Sequence, residues 1–574
     1  MTKEEIKLRI AYAQMKVSAG HSDVNTKKIL RFIDEARTQG ADVVIFPELA
    51  VSGQMLGDTG LAIPFVRDCE NCSAEIMAAS KNITVIFGSI MESRSERFKV
   101  IETAANKRWI DDPVVIDFSK FHEQSRIVPT RGISTPFKIT FQRKKYRGAY
   151  IFDARENFVD SRGLDFCIRF SSEPFNINKK ISGDKINCPM IKVGGIGIQN
   201  TGKTVFTFDG SSAVFNSRGE IVQLAEPFEE SLNFIELDEI DKMTVLELPE
   251  VSEAEKIYRA ISYGVKSFLE QIGMKKVVIG VSGGIDSAVA AALYSKVLGA
   301  ENIVLVNMPS VFNSETTKGL SEQLAKNLGC KYYVVPIQES VDWTVKQLTE
   351  RGIEVSSFVK ENIQARDRSS RILAAIAASL GGGFTCNANK AESTVGYATL
   401  YGDEAGFLSA LADLWKYQVY DLARYMNEKI FKREVIPQGI IDIVPSAELS
   451  TAQNVEEGKG DPLKYPYHDY LFRAFVEYNL SPESILRYYK DGELEKEIGC
   501  EAKLVEKYFP TAQDFIADLE RWWKQFTGMG VAKRIQSPPI LAVTDMPFGA
   551  RVESQNGVHF TKNYLELRDK LLAR

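Results

Sequence analysis

The sequence predicts an α/β protein in two parts: a layered α/β sandwich over residues 1–245 and an open parallel sheet over residues 246–574. Three observations carry this reading. Near the N-terminus, segments patterned as strand, helix and strand follow one another, which implies a parallel pair. From Lys275 onward an apolar strand breaks into a glycine turn and then an alanine-rich helix, KKVVIGVSGGIDSAVAAAL, and strand–helix alternation continues behind it. Between the two parts, LDEIDKMTVLELPEVSEAEK is charged, contains one proline and places a junction near Leu246.

Composition narrows the class. The 574 residues allow about three or four domain-sized units, or two if both are large α/β domains. Hydrophobic residues make up 44% and charged residues 26%, a globular balance. A net charge of −5 gives no argument for nucleic acid or a membrane as partner. The opening MTKEEIKLRIAYAQ is charged and then strand-like, without a signal-peptide core, and no apolar run approaches bilayer length. Seven scattered cysteines, an odd number, point to a reducing, cytoplasmic setting. Cys69 and Cys72 form a single C-x-x-C with no second pair to complete a zinc site.

Taken in order, Ile6–Ala13 reads as a strand, Asn25–Gln39 as an amphipathic helix and Ala41–Phe46 as a second strand ending in Pro47-Glu48-Leu49. Glu48 at that edge is a general base or an ordinary strand end, and the residues alone leave both open. Ile83–Ile90 and Pro113–Lys120 are further strands, followed by RGAYIFDAREN, which contains Phe152, and DFCIRF, which contains Cys167. After the junction come a helix at Ser252–Gly273, the strand ENIVLVNMPS, a helix at Ser314–Leu328 and the strand KYYVVPI. KENIQARDRSSRILAAIAASLG reads as one long helix with Arg366, Arg368 and Arg371 near its start, and Asp469–Lys524 is helical in pattern.

The turn itself carries chemistry. Gly283 and Gly284 let the backbone approach an anion closely, and the unpaired N–H groups and dipole of the helix behind them favour negative charge. Ser282 and Ser287 add hydroxyl donors. The turn has no lysine and instead contains Asp286. An acid beside phosphate makes sense if a divalent cation lies between them. The C-terminal end of a parallel strand is also where ligands of open α/β sheets bind.

SGGIDS after a buried strand resembles the pyrophosphate loop of the ATP pyrophosphatases, the adenine nucleotide alpha hydrolase type of Rossmann-like sheet. Downstream, NIQAR, CNANKAESTVGYATLYGDEAG, LADLWKYQVYDLARYMN, PSAEL and KRIQSPP resemble the NAD synthetase family. In the first part, ADVVIFPELAVSG, FSKFHE, EPFNI and VFTFDGSSAVFNSRGEIVQLAEPFEE resemble the nitrilase-like glutamine amidase domain fused to such enzymes. The likeness spans nearly the whole chain and is densest from Lys275 to Pro539.

The resemblance implies an amide ligase that converts deamido-NAD to NAD with ATP and Mg2+, through an acyl-adenylate attacked by ammonia. It implies ATP contacts from Gly280, Ser282, Gly283, Gly284, Asp286 and Ser287, and Mg2+ held by Asp286 and Glu392. Lys416 matches a lysine that stabilises phosphate charge, and with Asp286 it would be catalytic. On the substrate side the matching positions are Asn362, Arg366 or Arg368, Asn389, Lys390, Tyr401 and Asp403. Ser446 falls in a segment expected to close over substrate, and Lys533 in a basic segment that would reach phosphate across the subunit boundary of a homo-oligomer.

In the amidase half the resemblance implies Glu48 for proton handling, Lys120 for the oxyanion and a cysteine nucleophile. Phe152 stands at the cysteine position, followed by Asp153 and Ala154. Phenylalanine cannot form a thioester. Cys167, the nearest thiol, falls in the next strand, where a buried cysteine is usually a small core hydrophobe. The expectation is a degenerate amidase kept for architecture, assembly or sensing. Three alternatives stay open: a fully glutamine-dependent enzyme using another thiol, a ligase for a different carboxylic acid, and a non-catalytic nucleotide sensor or scaffold. Asn387-Ala388, where the family has Thr-Gly, and the altered amidase half favour the second, with Glu404 a further departure near the expected substrate, whereas Asp286, Glu392 and Lys416 weigh against the third.

Overall fold

The structure, a computed structural model, describes residues 7–93, 96–110, 114–117, 134–141, 144–152, 163–181, 186–549 and 557–573. It divides into two compact units, residues 1–201 with 205–251, and 202–204 with 252–574.

The first unit begins with β1 (Arg9–Gln14), α1 (Ser22–Thr38), β2 (Val43–Ile45), α2 (Ile63–Ala79), β3 (Thr84–Ser93), β4 (Glu96–Ala105), β5 (Arg108–Trp109) and β6 (Val114–Asp117). It continues with β7 (Ser134–Phe141), β8 (Lys144–Phe152), β9 (Phe166–Ser171), β10 (Met190–Gly194), β11 (Ile196–Thr201), β12 (Thr204–Asp209), β13 (Ala213–Phe215), β14 (Ile221–Leu224) and β15 (Ser231–Glu236). One sheet runs β15-β1-β2-β3-β4-β5, with β6 beside β4, and a second runs β14-β13-β10-β9-β8-β7. β1 and β2 are parallel, as the strand–helix–strand order requires, and so are β8, β9 and β10. The predicted strand at 83–90 runs further and turns back as an antiparallel hairpin with β4.

Side-chain alternation builds the layers. Ile10, Tyr12, Val43 and Ile45 of the first sheet pack with Phe166, Ile168, Phe170, Ile191 and Val193 of the second. The other face of the first sheet takes α1 through Ile29, Phe32, Ile33 and Ala36, spaced for one helical stripe, and α2 through Val66, Cys69, Cys72 and Ile76. The C-x-x-C is therefore part of a core stripe.

Between α2 and this sheet lies a buried acid. Glu102 is 8% exposed and accepts a 2.5 Å hydrogen bond from Ser73 Oγ. Burial pushes its carboxyl up to about 7, with Ser73 opposing and Glu70 adding to the shift. A carboxyl raised on folding binds more protons native than unfolded, so stability falls as pH rises from the unfolded value of 4.5 through about 7. Glu102→Gln is expected to remove up to about 3 kcal/mol of that slope. Thermal midpoints at pH 5 and pH 8 should then differ less for the variant, and an unchanged difference would count against the assignment.

The second unit runs α3 (Glu253–Ile272), β16 (Val277–Gly280), α4 (Ile285–Leu298), β17 (Ile303–Asn307), α5 (Glu315–Leu328), β18 (Lys331–Val334), α6 (Gln338–Thr349), α7 (Ser357–Arg366), α8 (Ala374–Ser379), β19 (Gly383–Phe384), α9 (Lys390–Val395), α10 (Lys416–Tyr425), α11 (Gln438–Asp442) and α12 (Tyr465–Val476). Ser252 caps α3 by accepting from Glu255 N, and Gly273 ends it in the left-handed conformation. The four strands are parallel in the order β18-β17-β16-β19. The chain leaves β16 for β17 on one side and later places β19 on the other, so a crevice opens at the C-terminal end of β16. α4 is buried on nearly every side, which its run of small residues permits.

Two helical predictions change in detail. The long helix from Lys360 is α7 and α8 joined by a π-helical stretch, Asp367–Leu373. The C-terminal helical region is divided into α12, Pro482–Asp491, Leu494–Ile498, Leu504–Tyr508 and Ala512–Thr527.

Candidate active site

β16 ends at Gly280, and the turn after it is held by its own serines. Ser287 Oγ donates to Gly284 O at 3.0 Å, and Ser282 Oγ accepts from Gly284 N at 3.2 Å. Gly283 has φ +88°, and a Cβ there would stand 2.4 Å from Thr317 O of α5. The turn thus leans directly on the first turn of α5, which only glycine allows.

Three helices start at this crevice, α4, α9 and α10, and each contributes a charged residue from its first turn. Lys416, the first residue of α10, is 3% exposed and forms an ion pair with Asp286 of α4. Its Nζ is 3.9 Å from Glu392 Oε1 and 4.8 Å from the centre of the Tyr465 ring. Asn389 caps α9 in a capping box: its side chain accepts from Glu392 N, and Glu392 Oε2 accepts from Asn389 N, both at 3.1 Å. Asn389 Nδ2 also donates to Asp286 Oδ1 at 3.2 Å, and Tyr465 OH to Glu392 Oε1 at 3.2 Å.

The charges are tuned by this packing. Burial works against the Lys416 ammonium, but Asp286 and Glu392 outweigh it and hold the group above its ordinary range. Burial, with Asp286 adding, pushes Glu392 above the usual carboxylate range, and Lys416 offsets only part of this. Among the described residues no group of three acidic, histidine or cysteine side chains could hold a metal. Asp286 and Glu392 supply two hard oxygen donors facing one cleft, which suits a Mg2+ completed by phosphate oxygens and water.

The remaining walls include Arg368, Asp403, Asn387 and the segment from Val444 to Asp461. Arg368, within the π-helical stretch, donates from Nε to Met308 O at 3.0 Å and from Nη2 to Asn313 Oδ1 at 3.2 Å. Asp403 Oδ1 accepts from Thr399 N at 2.6 Å, and burial raises its carboxyl. Ser446 lines the cleft while its Oγ donates to Gln453 O at 2.7 Å. Asp461 Oδ1 gathers Ala447 N at 3.0 Å and Tyr397 OH at 3.1 Å.

Other expected positions lie elsewhere. Arg366 turns to Leu400 O, and Asn362 Nδ2 to Phe358 O, so neither joins the cleft lining. Lys390 is fully buried beneath α9, where Asp413 at 2.9 Å and Glu477 at 3.3 Å neutralise it. Tyr401 is 63% exposed. Lys533 Nζ donates to Gly396 O at 2.7 Å and to Ala398 O, bracing the C-terminal end of α9. These lysines sit in motif segments, but their helices turn them toward backbone and core. Asn313, Thr317, Tyr465 and Asp461 joined the network with no motif to announce them, and Tyr397 from within a motif that had not singled it out, since each acts through a contact distant in sequence.

In the first unit, Glu48 follows β2 and Pro47 on a turn whose next residue, Leu49, has φ 54°. A Cβ on Gly88 would stand 2.2 Å from Leu49 N, so β3 carries this turn at backbone contact. Phe152 is the last residue of β8, its backbone paired with Phe170. Lys120, Asp153 and Ala154 lie outside the described residues. Cys167 is fully buried near the start of β9 and packs with Ala149, Ile151 and Cys188, on the face opposite Phe166 and Ile168. Its Sγ is 3.4 Å from Cys188 Sγ, and that contact together with burial holds its thiol far above the ordinary range. None of the seven cysteines is exposed.

A glycine turn at the switch point of a parallel sheet, faced by a buried ammonium and two carboxylates, makes an α/β site whose charges and backbone N–H groups suit a phosphorylated ligand. Residues 257–501 match the NAD synthase family and residues 9–160 the carbon-nitrogen hydrolase family. A glutamine-dependent NAD(+) synthetase of Synechocystis sp. is 29% identical, the match covering 94% of this chain and 97% of that one. One from Aquifex aeolicus is 27% identical over 84% of this chain and 91% of its own. The fold is that of a solved glutamine-dependent NAD(+) synthetase from Cytophaga hutchinsonii, with a TM-score of 0.76, 16% identity and coverage of 99% of this chain and 100% of that one. A second, from Acinetobacter baumannii in complex with ADP, gives a TM-score of 0.67 at 22% identity and covers 96% and 99%. The two matches give the chain an NAD synthase part behind a carbon–nitrogen hydrolase part, and it is a carbon–nitrogen ligase.

Proposed function

We propose that the second unit converts deamido-NAD to NAD with ATP and ammonia, and that the first unit does not generate that ammonia. The ion-paired cluster of Asp286, Lys416 and Glu392 at the end of β16 is the observation that supports the ligase. The nicotinate carboxylate attacks the α-phosphorus of ATP, and the bond to the β-phosphate oxygen breaks to release pyrophosphate. A carboxylate becomes a usable electrophile only once oxygen is bonded to AMP as a leaving group. Ammonia then attacks the acyl carbon, AMP departs and the nitrogen sheds a proton.

The protein's part is placement and charge. The backbone of Gly283 and Gly284 and the start of α4 receive the departing pyrophosphate. Lys416, already buried and preorganised, stabilises charge that develops on phosphate. Asp286 and Glu392 would hold Mg2+, which when bound neutralises phosphate charge. Arg368 lies closer to this cleft than Arg366 and takes the phosphate-side role. Asp403 and Ser446 border the remaining space on the substrate side.

Phe152 at the end of β8 and the placement of Cys167 support an inactive amidase. The full-length likeness to glutamine-dependent relatives favours the other reading, a working glutaminase with a different thiol. One assay separates them: NAD formation from deamido-NAD and Mg-ATP, with ammonium chloride and ammonia-free glutamine in parallel. NAD, AMP and pyrophosphate in equal amounts from ammonium alone is the expected result. Equal rates from glutamine would overturn the inactive amidase, and no NAD from either source would move the ligase to a different carboxylic acid.

A further inference from the structure

The segment that lines one side of the cleft is fastened to α5 by a buried acid two residues beyond Ser446. Glu448 is 3% exposed and has φ 45°, a left-handed conformation that a glutamate adopts only when its surroundings hold it there. Its Oε1 accepts from Ser314 N at 3.1 Å. Its Oε2 accepts from Thr317 Oγ1 at 2.7 Å and from Asn313 Nδ2 at 3.3 Å. The carboxylate therefore sits over the capped N-terminus of α5, where the helix dipole favours negative charge.

Both neighbours lead back into the cleft. Thr317 is the residue whose carbonyl oxygen Gly283 rests against. Asn313 presents its Oδ1 to Ser310 N at 2.8 Å and to Arg368 Nη2 at 3.2 Å. An amide has one acceptor end and one donor end. While Glu448 takes the donor end of Asn313, the acceptor end must face Arg368. From this geometry we infer that Glu448 is a positioning residue, which fixes the Asn313 amide and through it the guanidinium of Arg368 in the nucleotide cleft.

This rests on the reading of the cleft as an ATP site. In Glu448→Gln the new amide can turn a donor toward Asn313, which then rotates and points its own N–H groups at Arg368. ATP affinity of the full chain, measured by calorimetric titration with Mg2+ present and no second substrate, is expected to fall on the order of ten- to hundred-fold, the scale of a lost charge-assisted hydrogen bond. Asn313→Ala should give the same loss, and the double variant no more than either single one. Multiplying losses would mean that Glu448 merely stiffens the lining segment, and unchanged ATP affinity in Glu448→Gln would overturn the inference. Wild-type protein that binds no ATP would overturn the nucleotide reading itself and this inference with it. Should Glu448→Gln fail to fold, Asn313→Ala alone decides, because unchanged ATP affinity there removes the link to Arg368.

Discussion

Lys416→Ala is expected to lower NAD formation by about a hundred- to a thousand-fold, the scale seen when a preorganised charge donor is removed from a reacting site. The lysine sits at the first position of α10, buried, between two carboxylates and against the Tyr465 ring. Its truncation removes the cation from a place where it needs no reorganisation and leaves Asp286 and Glu392 facing each other without it. Lys416→Arg is not expected to rescue, because a planar fork cannot replace a compact ammonium wedged between Asp286 and a ring. Steady-state kcat from deamido-NAD, Mg-ATP and saturating ammonium, with thermal unfolding run beside it, checks the point. A folded Lys416→Ala variant within tenfold of the wild type would contradict the assignment.

Gly283→Ala should be nearly as damaging, and Gly284→Ala far less so. At Gly283 the backbone is left-handed, which costs an alanine about 1–2 kcal/mol before any contact is considered. The added methyl would also meet Thr317 O at 2.4 Å, a backbone atom that cannot swing away. The turn must shift, and a displacement of about 1 Å at a reacting site costs on the order of a hundredfold in rate. Gly284 has an extended φ of −92°, and its nearest neighbour would be Ser282 Oγ at 3.3 Å. Comparable losses in the two variants, measured as kcat/KM for ATP, would show that the turn's glycines serve a bound ligand rather than the packing against α5.

Much of this was legible in the chain because local patterns are enough for it. The strand, glycine turn and helix at Lys275–Leu293 announced both a parallel sheet and its ligand end, and the pattern at Asn25–Gln39 announced an amphipathic helix, which the structure packs on its sheet through Ile29, Phe32, Ile33 and Ala36. Asp286 stood out in the glycine turn, and Glu392 and Lys416 through segments that resemble a known family; the structure places each at or near the start of a helix. Lys390 and Lys533 stood out equally and went elsewhere, since a motif fixes a backbone segment but not the direction of every side chain on it.

The sequence by itself determined the fold class and the glycine turn that follows a buried strand, and its family resemblance named Asp286, Glu392 and Lys416, which one cleft brings together. These are statements about residue identity and short-range periodicity, which hold before any long-range contact forms. Tertiary structure alone decided that Arg368 rather than Arg366 borders the cleft, that Cys167 faces the outer layer of its sheet, and that Glu448 closes on the start of α5. The partners in those contacts lie far apart in the chain, and which of them meet follows from strand order, helix phase and the requirement that each buried charge find a partner.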